Sequence, residues 1–160
     1  MKYLFIVILS FLINLPTMAE ELAIPRFAAL KSDTVYMRSG PGERFPIEWV
    51  YKRKNFPVKI IDTFEHWYKI EDINQTQGWV HKRMLSDKKT ALTKENEKTS
   101  LYQKENLQSK VLAYFDGQAI VQILKCETDS LFCQVKYNDL KGYILKNNLF
   151  GIYPNEEIRS

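Results

Sequence analysis

Two cysteines, two histidines and a glycine-proline loop are the places where this 160-residue sequence could carry reaction chemistry. Cys126 and Cys133 are separated by Glu-Thr-Asp-Ser-Leu-Phe. As a nucleophile either thiol needs a base beside it, and the histidines, His66 and His81, lie well upstream in what reads as another structural unit. Two histidines at unrelated positions and a bridged cysteine pair do not reach the ligand count of a zinc site. Ser39-Gly40-Pro41-Gly42 has neither the lysine nor the following helix that phosphate cradling requires. Glu65, Glu71 and Asp72 are close in sequence, but no pattern fixes their separation, as acid–base work would need. No catalytic residue, cofactor or metal is expected.

Binding is better served. Tyr36, Phe45, Trp49, Tyr51, Phe64, Trp67 and Trp79 crowd into the first half of the chain, and exposed aromatics beside a loop suit peptide or sugar stacking. Two readings stay open for the tryptophans: walls of a groove, or peripheral core over the open end of a small fold. Side chains alternate across a strand, so Trp67 should face away from Tyr68 and Ile70 and be partly exposed, and Trp79 should share a face with His81.

The elements that must position these residues are strands. Asp33–Arg38, Pro57–Asp62, His66–Glu71 and Gly78–Met84 are short, rich in β-branched or aromatic residues, and bounded by glycine, proline, asparagine or aspartate. Strands at this spacing indicate a small barrel, with Val58, Ile60, Tyr68 and Ile70 expected in its core. A second copy follows. Gly78–Leu85 ("GWVHKRML") aligns with Gly142–Leu149 ("GYILKNNL") at an offset of 64, "WYKI" with "FCQV" at 65, and "VKI" with "VQI" at 63. A repeat of this length means tandem units, with the single-residue insertions in hairpin loops. Thr90–Thr93 reads as the last strand of the first copy. The two cysteines fall near the ends of paired strands in the second copy, where opposed positions satisfy disulfide geometry.

The first copy, "VYMRSGPGERFPIEWVY" followed by "PVKIID", "HWYKIED" and "QGWVHKRML", resembles the bacterial SH3-like (SH3b) family, with its Arg-Ser-Gly-Pro opening, middle hairpin and closing Gly-Trp strand. The second copy and the tail "LFGIYPNEE" look like the end of secreted two-repeat members, although Ser100–Phe115 lacks the Arg-Ser-Gly-Pro signature. The resemblance implies an all-β chain of two tandem SH3-like barrels, residues 26–93 and 101–153, joined by a linker at 94–100 and ending in a tail at 154–160. It also implies a binding role toward cell-wall peptide or an envelope protein. In the opening loop, Gly40 and Gly42 can adopt positive φ and Pro41 fixes a turn. Because the second copy does without this signature, folding alone does not demand it. Arg38, Arg44 and Phe45, with Trp49, Trp67 and Trp79, are therefore the candidate contact residues.

The N-terminus fits an exported protein. Lys2, an apolar run, Pro16 and the small-residue end Thr17-Met18-Ala19 read as a signal peptide over residues 1–19, cleaved between Ala19 and Glu20. The run is too short and too interrupted to cross a bilayer. An oxidising compartment, periplasmic or secreted, makes a Cys126–Cys133 disulfide the expected state. With 23 basic and 19 acidic residues the net charge is only +4, a bias too mild for a nucleic-acid partner. Basic clusters such as Tyr51–Asn55 read as solvated edges or as attraction to an anionic wall surface.

Overall fold

Alternation of apolar and polar residues drives almost every element. In the computed structural model, which describes residues 23–95 and 98–159, Val35 and Met37 turn inward while Tyr36 points out. The first sheet comprises β1 (Arg26–Leu30), β2 (Val35–Arg38), β3 (Ile47–Tyr51), β4 (Pro57–Phe64), β5 (Trp67–Glu71), β6 (Gln77–His81) and β7 (Leu85–Ser86). The second comprises β8 (Thr90–Thr93), β9 (Thr99–Tyr102), β10 (Val111–Phe115), β11 (Ile120–Cys126), β12 (Phe132–Tyr137), β13 (Leu140–Leu145) and β14 (Leu149–Phe150), with β15 (Ile158–Arg159) added beside β11. Both sheets are antiparallel. Their strand orders are β3-β2-β6-β5-β4-β1-β7 and β10-β9-β13-β12-β11-β8-β14, the same path traced twice.

Each sheet curls around its own core. Leu30, Val35, Met37, Val58, Ile60, Ile70 and Val80 fill the first; Leu101, Val121, Ile123, Val135 and Ile144 fill the second. Val58, Ile60 and Ile70 are in the core as expected, and Tyr68 packs against it half-buried. A single 3₁₀ turn, Lys82–Met84, links β6 to β7, and a matching turn, Lys146–Asn148, links β13 to β14.

The structure redraws the seam between the copies. Thr90–Thr93 pairs with β11 and β14, so it is the first strand of the second sheet and not the last of the first. The stretch read as a linker ends inside β9, where Thr99 is fully buried. The stretch read as a tail pairs Ile158 with Cys126 and buries it in the second core. These contacts are non-local, and no single-strand pattern exposes them. The units also touch directly. Phe27 packs edge-on to Phe150 at 5.2 Å and against Tyr153 at 5.0 Å, and Thr90 Oγ1 donates to Asn55 O at 2.8 Å.

Cys126 and Cys133 are directly opposed on β11 and β12 and form a disulfide, both sulfurs buried. Replacing both by alanine should lower unfolding free energy by about 2–3 kcal/mol, the loop-closure value for so short a ring. Denaturant titration of the double variant checks this, and an unchanged midpoint would contradict it.

Candidate binding surface of the first sheet

Tyr68 lies opposite Val80 and Ile70 opposite Gly78, both pairs facing the core. Trp67, Lys69, Trp79 and His81 must therefore occupy the outer face, joined there by Tyr36 and Arg38 from β2. On this face is a hollow of about 100 Å³ lined by Tyr36, Arg38, Glu43, Trp67, His81, Arg83 and Met84. Trp67 forms its floor. It faces outward as expected but is only 9% exposed, because His81 packs edge-on against it at 5.3 Å and the 3₁₀ turn brings Arg83 and Met84 alongside. The expectation of partial exposure is corrected accordingly: Trp67 is a buried platform.

Arg38 does two things. It lines the hollow, and its Nη1 donates to the carbonyls of Phe45 (2.7 Å) and Glu43 (3.1 Å), tying down the opening loop. Ser39 N donates to Pro46 O at 3.1 Å and Phe45 N to Gly42 O at 3.2 Å. The Phe45 ring lies so close over Gly40 that a Cβ there would come within 2.5 Å of it. Close approach, not left-handed backbone, is thus the reason for Gly40: neither Gly40 nor Gly42 is among the positive-φ residues. Arg44 is exposed and stacks its guanidinium over Phe45 at 5.2 Å. In the second sheet the matching excursion closes by other means. Gln103 N donates to Lys110 O, and Asn106 Oδ1 and Ser109 Oγ accept from Gln108 N and Lys104 N. Side-chain acceptors there replace the arginine and phenylalanine.

The candidates divide between two places. Arg38 and Trp67 meet in the hollow, Trp79 sits beside it opposite both Arg38 and Lys69, and Arg44 and Phe45 build the neighbouring loop. Trp49 is elsewhere. It is 53% exposed on the other face of β3, in a cleft of about 260 Å³ that includes Arg53, Phe56, Asp72 and Asn74, with Gln118 from the loop between β10 and β11. Asp72 in that cleft is committed to the fold: its Oδ1 accepts from Asn74 N and Thr76 N, and its Oδ2 accepts from Tyr51 OH at 3.0 Å. Burial, reinforced by Asp72, pushes the Tyr51 phenol well up.

Sequence reasoning missed His81, Arg83 and Glu43. His81 Nδ1 accepts from Arg83 N at 3.2 Å and so caps the 3₁₀ turn. Desolvation first, and then the positive charge of Arg83, hold its pKa below the ordinary histidine value. The signal was available: His81 is two residues from Trp79 on the same strand face, and Arg83 follows in the turn. The hollow's charge is mainly cationic, two guanidiniums against one carboxylate. The matching surface of the second sheet differs, with Phe132 and Tyr143 accompanied by Glu105, Glu127 and Lys125 around about 50 Å³.

Among the described residues no helix is long and apolar enough to cross a membrane, and residues 1–19, read from the sequence as a signal peptide, lie outside them. A search of curated proteins returned no match. Solved structures similar to this chain include NlpC2 from Trichomonas vaginalis (17% identity, TM-score 0.36, covering 81% of this chain and 49% of that one). NlpC1 from the same organism is another (18%, 0.35, 89% and 50%). The chain spans about half the length of each. The family model for the bacterial SH3 domain matches residues 31–87, which hold β2 to β7, the loop tied by Arg38 and the whole hollow. Over that segment, and not beyond it, the chain is similar to the bacterial SH3 domain family.

Proposed function

We propose that the chain is an exported, non-catalytic binding protein whose SH3 domain recognises a peptide, from the cell wall or from an envelope protein, through the outer-face hollow. The observation that carries this reading is the pairing of a flat aromatic floor, Trp67, with the guanidiniums of Arg38 and Arg83 and the exposed ring of Tyr36. Guanidinium and carboxylate make paired, charge-assisted hydrogen bonds, and the flanking rings take the apolar part of the same residue. A peptide carboxylate, terminal or on a side chain, fits a space of this size. The second sheet, with two glutamates at the matching surface, lacks that preference.

Tyr36 and Arg83 are the residues to change, because neither is buried and Trp67 and Arg38 also hold the fold. A Tyr36→Ala, Arg83→Glu double variant should stay folded and lose most co-sedimentation with purified wall sacculi, or most crosslinking to its envelope partner in cells. Parent and variant behaving alike in both assays would remove the hollow from consideration. Crosslinking that recovers protein but no wall fragment would assign the peptide to a protein partner.

A further inference from the structure

Strand β3 is the end strand of the first sheet: β2 pairs with one edge and, among the described residues, no strand pairs with the other. Four of its five residues are exposed, among them Ile47 (44%), Trp49 (53%) and Val50 (38%). An edge so apolar and so open is a template for another strand. The equivalent strand β10 shows what a shielded edge looks like here, with Val111, Leu112 and Ala113 half-buried and the latter two packed on the second core.

The sequence of β3 and the residue after it is complementary to itself. Tyr36 opposes Val50 and Val35 opposes Tyr51, and Lys52 Nζ reaches Thr34 Oγ1 at 3.3 Å on the face that carries Tyr36. Val50 and Lys52 therefore lie on the outer face and Trp49 and Tyr51 on the inner one, and Glu48, which shares the place opposite Arg38 with Ile47 in the bulge, joins the outer face. Pair this strand antiparallel with a copy of itself about Val50. Glu48 then meets Lys52 of the second copy and Lys52 meets its Glu48, while Trp49 meets Tyr51 on the opposite face. The β2–β3 bulge between Ile47 and Trp49 ends the pairing at Glu48.

We infer that a second copy of this chain occupies the free edge of β3, giving a two-fold dimer centred on Val50 in which the two first sheets become one continuous sheet. A two-fold contact of this kind is the commonest closed assembly. The dimer buries the exposed apolar stripe and forms two Glu48–Lys52 cross-strand pairs. It also sets the two hollows side by side, since Tyr36 is the neighbour of Val50. Two linked sites on a polymeric or clustered target raise avidity without new contacts.

The test is a charge swap read by sedimentation of the purified, exported protein over a wide dilution series. Glu48→Lys and Lys52→Glu each set like charges opposite each other twice per dimer, and each should weaken association about tenfold. The double variant Glu48→Lys, Lys52→Glu restores both pairs and should recover the parent affinity. Val50→Cys should crosslink to itself on mild oxidation, since opposed residues of an antiparallel pair sit within disulfide range. Glu48→Cys should not. A parent that is monomeric throughout, or a double variant that stays as weak as the singles, overturns the proposal. Arg83→Glu should leave the association unchanged, which keeps this outcome separate from the ligand reading of the hollow.

Discussion

Gly142→Ala should cost about 3 kcal/mol or more of stability, a large effect for one methyl group. On β13 this glycine lies where the strand crosses β9, and a Cβ built on it would stand 2.5 Å from the backbone oxygen of Tyr102 and 2.9 Å from the Leu101 side chain. A backbone oxygen in a hydrogen-bonded strand cannot swing aside, so the sheet itself must open, at the upper end of the range for overpacked interiors. Gly78 holds the same place in the first sheet, against Met37 Cγ at 2.6 Å and Arg38 O at 2.9 Å. Its nearest neighbour is a flexible methionine, so Gly78→Ala should cost less, about 1–2 kcal/mol. Denaturant unfolding followed by far-ultraviolet circular dichroism ranks the two. Equal costs, or a Gly142 variant as stable as the parent, would refute the close-approach account.

These two glycines also show how far the sequence could be read. The alignment of "GWVHKRML" with "GYILKNNL" rests on them, and they recur because one packing problem is solved twice: the closing strand must pass against β2 or β9 with no room for a side chain. Local alternation located the strands, most of the core and the outward face of Trp67. It did not reveal that the face is roofed by the turn after β6, because that turn's position depends on β7 pairing with β1. Gly40 was readable as a special position but for another reason, since only the folded loop shows the Phe45 ring above it. His81 and Arg83 became visible as a site once β5, β6 and β2 were adjacent. The seam between the sheets was least legible, because Thr90–Thr93 carries one threonine and one apolar residue on each face, all four of them buried, and its pattern alone does not say which neighbour each face meets.

Leu92 is where that seam can be measured. It lies on β8, paired with Ile120 and Phe150 of the second sheet, yet its side chain is fully buried in the core of the first. Its neighbour Ala91 points into the second core, so β8 feeds both. Truncating Leu92 to alanine should cost about 3 kcal/mol, the usual loss plus a cavity term for a fully buried leucine, and the loss should fall on both sheets. The three tryptophans, Trp49, Trp67 and Trp79, all lie in the first sheet, so tryptophan emission reports that unit while circular dichroism reports both. In the parent chain the two signals should unfold together, because opening the first core strips β8 of its inner contacts and opening the second sheet removes Leu92 from the first core. In Leu92→Ala both midpoints should move to lower denaturant, and the traces should separate as the shared strand loosens its coupling. A variant whose emission transition stays at the parent midpoint would mean that Leu92 is no part of the first core's stability, and the two sheets would then fold as independent units.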